Sequence, residues 1–136
     1  MYKIPEILWQ KTKRNVLETL KIYNYYSLSL FDENTLKISE DYKIEISQIK
    51  TKKENMCERF DFVVNVILSY NKLNSTDKEI IYKSYISSHK VNDDIIANKL
   101  GFSVKYYYKI KKEAIIKFAF ALGVEALKGE EKDETN

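Results

Sequence analysis

The chain has 136 residues, a formal net charge of +3, 44% hydrophobic and 32% charged residues, one cysteine, three glycines and one proline. That is enough apolar content for one domain with a real core, too much for a disordered chain and too little length for a second full domain. No apolar run approaches the ~18 residues of a membrane span, no signal-peptide core is visible, and a single cysteine excludes an internal disulfide, as suits a cytoplasmic protein.

Few helix breakers and many Lys, Glu, Ile and Leu predict an all-α fold. The first helix is expected from about Ile4 to Tyr26, with Pro5 in its first turn and an apolar stripe of Trp9, Val16, Leu20 and Tyr23. The segment TLKISEDYKIEIS alternates apolar and polar residues around a Ser-Glu-Asp break. It admits a small β-hairpin around 35–47 and equally a mobile linker, within a variable insert at about 27–52. Helical spacing returns from Lys53 to Leu73, where Met56, Phe60, Val63, Val64, Ile67 and Tyr70 share a side. Residues 1–73 thus read as an N-terminal helical region.

Three short helical elements follow, in a region 74–128 that ends in a frayed, charged tail, 129–136. Thr76 and Glu79 form a capping box for a helix running to about Ser87. Asn92 is the expected N-cap of DDIIANKL, whose acids sit where the helix dipole favours them. Gly101 is placed for a left-handed C-cap, and Ser103 caps the last helix.

A short helix, a glycine turn and a second helix beginning with Ser is the signature of a helix-turn-helix. Its core is expected to hold Ile96, the small Ala97, Leu100, Gly101 in the turn, Phe102 beneath it, and Tyr107, Ile110 and Ala114 on the inner side of the last helix. An ordinary glycine-capped helical hairpin has the same outline. Charge separates the two readings. Residues 103–117 carry five lysines against one glutamate, +4 on a chain that is otherwise nearly neutral. On the helical wheel Lys105, Lys109 and Lys112 lie opposite the core side, flanked by Tyr106 and Tyr108. Such a face suits a major groove: Lys105, Tyr106, Tyr108 and Lys109 toward bases, and Ser103, Val104, Lys111 and Lys112 beside them or nearer phosphates.

The run LGFSVKYYYKIKKEAI is also similar to the helix-turn-helix of region four in primary sigma factors. KRNVLETLKIY, LNSTDKEIIYKSYI and YYYKIKKEAIIKFAFALGV together resemble the ArpU-like family of phage and prophage regulators, over roughly residues 11–26 and 56–124; residues 27–55 match poorly. The resemblance implies a double-stranded-DNA-binding regulator of late phage genes, in the cytoplasm of a bacterial host. Two other duties stay open: a small phage DNA-packaging subunit, and a sigma-like adaptor that contacts RNA polymerase.

After Lys117 the last helix is apolar nearly all round. Read as one helix over 103–127, it would be about 37 Å long. Either its end packs both on the N-terminal helices and on a second chain, through Ile116, Phe120 and Val124 in a homodimer, or the helices of residues 4–26 and 53–73 alone wrap it within one chain. No catalytic set, metal-ligand spacing or cofactor motif emerges, and the chain is expected not to be an enzyme. His89 falls in a polar loop, and Cys57 is expected to be a small buried side chain.

Overall fold

A computed structural model describes residues 3–32, 35–47 and 56–130. The fold is mostly helical with one small two-stranded antiparallel sheet. In chain order the elements are α1 (Trp9–Leu30), β1 (Leu36–Ile38), β2 (Ile44–Ile46), α2 (Cys57–Asn71), α3 (Ser75–Ile81) continued by a π-helical turn (Tyr82–Ile86), α4 (Asp93–Leu100) and α5 (Val104–Leu122). The expected start of the second helix at Lys53, the later part of the insert and the tail beyond Glu130 lie outside the described residues.

The stripe read on the first helix is its buried face: Val16, Leu20 and Tyr23 are buried and Trp9 is half-buried. The helix ends differ from expectation. Pro5 is not in a helical turn. Ile7 instead pairs with Leu127 in an extended bridge, Leu8 N–H donates to the Ala126 carbonyl and Lys128 N–H to that of Glu6, at 2.9 and 2.8 Å. Backbone pairing with residues 126–128 satisfies donors that a first helical turn would leave orphaned, so the helix begins later. At its other end α1 runs one turn past Tyr26, because Leu30 is buried and Phe31 meets Phe60 edge-on at 6.5 Å.

The hairpin is formed, with Leu36 opposite Ile46, Lys37 opposite Glu45 and Ile38 opposite Ile44. Two strands of three residues are too short to stand alone, and an anchor supplies what they lack. Asn71 accepts from Ile44 N–H and donates back to the Ile44 carbonyl, both at 3.0 Å. In the turn, Tyr42 has φ 65°, a strained value for a residue with a side chain. Its carbonyl accepts from Tyr70 Oη at 2.6 Å, and its ring lies 6.0 Å from that of Tyr82.

The expected capping box at Thr76 and Glu79 is displaced. Asn74 is the N-cap, accepting from Asp77 N–H at 2.8 Å, and Glu79 turns instead to Lys83 and Lys99, at 2.7 and 3.1 Å. Asn and Thr are both good caps, and the earlier one wins because Asp77 is buried and bound by Lys117 of α5 at 3.1 Å. The helix then widens at Tyr82–Ile86 rather than continuing as α. Residues three apart share a face in an α-helix. The wider turn separates them, so that Tyr82 meets the hairpin while Tyr85 lies under Lys111 of α5 at 5.1 Å.

Two hydrophobic clusters result. The larger joins α1, α2, the end of α3 and the second half of α5 through Val16, Leu20, Val63, Ile67, Tyr70, Ile81, Ile115 and Phe118. The smaller holds Ile80, Ile96, Ala97 and Tyr107 between α3, α4 and the first half of α5. Helix α5 belongs to both, so the expected division at residue 73/74 is not a break in packing. Among the described residues no helix is long and apolar enough to cross a membrane.

Candidate nucleic-acid interface

The α4–α5 corner is built from the residues expected to build it. Asn92 is the N-cap residue of α4, though its carbonyl, not its side chain, serves the first turn: Ile95 and Ile96 N–H donate to it at 3.1 and 3.2 Å. Gly101 ends α4 at φ 74°, and nothing lies within 4 Å of where its Cβ would be, so conformation rather than space calls for glycine. Ser103 Oγ accepts from Tyr106 N–H at 3.2 Å and starts α5. Ile96, Ala97, Tyr107 and Ala114 are buried; Leu100, Phe102 and Ile110 are half-buried around them.

The three consecutive tyrosines divide as their wheel positions dictate. Tyr107 is fully buried, while Tyr106 and Tyr108 are 46% and 49% exposed. Tyr106 is steadied by Phe102, edge-on at 4.9 Å, and Tyr108 by Tyr107 at 5.4 Å. Ser103, Val104, Lys105, Lys109 and Lys112 are exposed beside them. This leaves a face about three helical turns long of cations and aromatic hydroxyls, on a helix whose opposite side is fixed.

What fixes it was not legible in the sequence. Asp93, in the first turn of α4, accepts from Tyr107 Oη at 2.7 Å and from Lys111 Nζ at 2.8 Å on the same Oδ1. Burial opposes the charge on Asp93, but the hydrogen bonds from Lys111 and Tyr107 outweigh it and hold the carboxyl below its ordinary range. Lys111 is raised in turn: its partial burial works against the charge, and Asp93 with the Tyr85 hydroxyl more than compensates. Asp93 was expected only to complement the helix dipole, and Lys111 to lie near phosphates. Lys111 is instead turned inward, its side chain 14% exposed. No spacing rule could have paired residues 14 and 18 positions apart across a turn.

Helix α5 stops at Leu122, with Gly123 at φ 75°, rather than running to 127. Its 19 residues therefore span about 28 Å. The inner side of the apolar end is covered by the chain's own helices, since Ile115, Phe118 and Ala119 are buried against α1 and α2. Of the three residues considered for a second chain, Ile116 and Val124 are half-buried and Phe120 is 39% exposed. Val124 lies beyond the helix, its carbonyl accepting from Asn15 Nδ2 at 2.9 Å.

Cys57 is exposed at the start of α2, contrary to the buried position expected. His89 is exposed in the loop before α4. Among the described residues no group of three His, Cys, Asp or Glu side chains converges to hold a metal ion. Comparison with protein-family models, with curated proteins and with solved structures finds no match to this chain.

Proposed function

We propose that this chain is a sequence-specific duplex-DNA-binding transcription regulator in which α4, the Gly101 turn and α5 act as a helix-turn-helix. The observation that carries the reading is the sorting of α5. Tyr106, Tyr108, Lys105 and Lys109 face outward on its first turns, while Tyr107 and Lys111 are drawn inward onto Asp93. A helix that enters a major groove needs that combination: a rigid inner side, and an outer side of cations and flat hydroxyl-bearing rings. Lys105, Tyr106, Tyr108 and Lys109 are assigned to bases, and Ser103 and Lys112 to phosphates. Lys111 is withdrawn from that set because its ammonium is committed to Asp93. The resemblance to ArpU-like regulators supplies the setting, control of late prophage genes.

The test is selection of fragments of the source genome at about 150 mM salt, where nonspecific attachment is weakened. Recovery of a few sites upstream of late phage genes is expected, and Lys109→Ala or Tyr106→Ala should lose about 1–3 kcal/mol on those sites alone. Equal loss on unrelated DNA would remove both residues from base reading. Recovery of all fragments equally would favour a packaging subunit. Recovery of none, with polymerase subunits captured after nuclease treatment, would favour an adaptor.

A further inference from the structure

Several lysines that reach across element boundaries have acids: Lys83 and Lys99 share Glu79, Lys111 takes Asp93, and Lys117 takes Asp77. Lys13 of α1 and Lys112 of α5 have no carboxylate among the described residues. They are gathered on one ring instead. The Lys112 ammonium lies 5.1 Å and the Lys13 ammonium 5.9 Å from the centroid of Trp9. The negative face of an indole compensates a cation in part, but two cations collected on the same ring still repel each other. An anion bound beside the ring would relieve that repulsion.

Position says which anion. On α5, Lys105, Lys109 and Lys112 lie within one stripe at 100° per residue, about 10 Å from first to last. Lys112 therefore ends the outward-facing cation row and begins the pair over Trp9. Through that ring the row crosses from α5 to α1, where exposed Arg14 follows Lys13.

We propose that Lys13 and Lys112, held over Trp9, form a binding site for a backbone phosphate of duplex DNA, beside the groove that α5 enters. The site lies partly on α1, outside the helix-turn-helix, and it rests on the DNA-binding reading of α5. It fixes the path of the duplex along the protein and reads no base.

The experiment is a titration of wild type, Lys13→Gln and Lys13→Arg against a genome-selected duplex and an unrelated duplex of equal length, across a range of KCl concentrations. Lys13→Gln should lower the slope of log affinity against log salt by about 0.9, the value for one phosphate contact, and weaken both duplexes by the same factor of about three to ten. Lys13→Arg should restore the slope, and the thermal midpoint should stay put in both variants. An unchanged slope for Lys13→Gln, while Lys109→Gln weakens the selected duplex, overturns the phosphate site and leaves the reading of α5 standing. Wild-type protein that binds neither duplex overturns both.

Discussion

The first nine residues of α5, Val104 to Lys112, and the last nine, Ala114 to Leu122, have similar helical propensity and share one uninterrupted helix. Their surroundings differ. In the first half only Tyr107 is buried, and Val104, Tyr106 and Tyr108 are 55%, 46% and 49% exposed. In the second, Ala114, Ile115, Phe118 and Ala119 are at or within 1% of complete burial. The second half is held by apolar packing against α1, α2 and α3. The first half adds directional bonds, from Asp93 below and the Ser103 cap at its start, to the smaller cluster around Tyr107. The contrast teaches how one face of a helix is left free: one half is rooted in the main core, and the other rests on a smaller cluster reinforced by a few directional bonds.

The largest effect should come from breaking the rooted half. Phe118 is fully buried and meets Tyr70 edge-on at 6.2 Å. Phe118→Ala is expected to cost about 3–5 kcal/mol, measured by urea unfolding. A loss under about 1 kcal/mol would mean that α5 is not anchored there.

Asp93→Asn sharpens the comparison from the other side. It leaves the Lys111 ammonium, largely enclosed, without its counter-charge and should cost about 1–3 kcal/mol. The pH dependence has a definite sign. A carboxyl held below its ordinary 3.8 contributes stability that is present above that value and lost as pH falls through the lower folded-state value. A raised Lys111 contributes stability that is complete below 10.5 and lost as pH climbs through its higher folded value. Wild type should therefore hold this contribution from about pH 5 to 9 and lose it in stronger acid. Asp93→Asn should fall less steeply between pH 5 and 2, and parallel acid unfolding of the two proteins would rule out the pair as a stabilising contact.

The smallest effect on stability belongs to the outward face. Tyr106→Ala and Lys109→Ala should each shift the unfolding free energy by no more than about 0.5 kcal/mol, as for other surface positions. A larger shift at Tyr106 would assign that ring to the packing of Phe102 rather than to a partner.

What the sequence made legible follows the range of its signals. Gly101, Ser103 and the alternation of Tyr106, Tyr107 and Tyr108 depend on neighbours within four residues, and all stand where the pattern puts them. The stripes of α1 and α2 were equally readable, and the hairpin was visible as alternation without being decidable. Asp93 with Lys111, Asn71 with the Ile44 backbone, and Lys112 with Trp9 join residues 18, 27 and 103 positions apart. No periodicity encodes such partners. The helix ends failed for the same reason: residues 126–128 and the bond from Lys117 to buried Asp77, both remote in sequence, decided where α1 and α3 begin.

The pairing of residues 6–8 with residues 126–128 bears on how the chain is made. A polypeptide leaves the ribosome in order, so α1 emerges long before α2 and α5, the faces it packs on, and before the carbonyls and amides that complete its first turn. Until then its apolar stripe has nothing to bury it, and contacts spanning more than a hundred residues close slowly. During synthesis α1 therefore carries an unburied stripe until the later helices arrive. Only when residue 128 is free does Thr12 close the fold, its Oγ1 donating to the Ala126 carbonyl at 3.3 Å and accepting from Ala126 N–H at 3.0 Å.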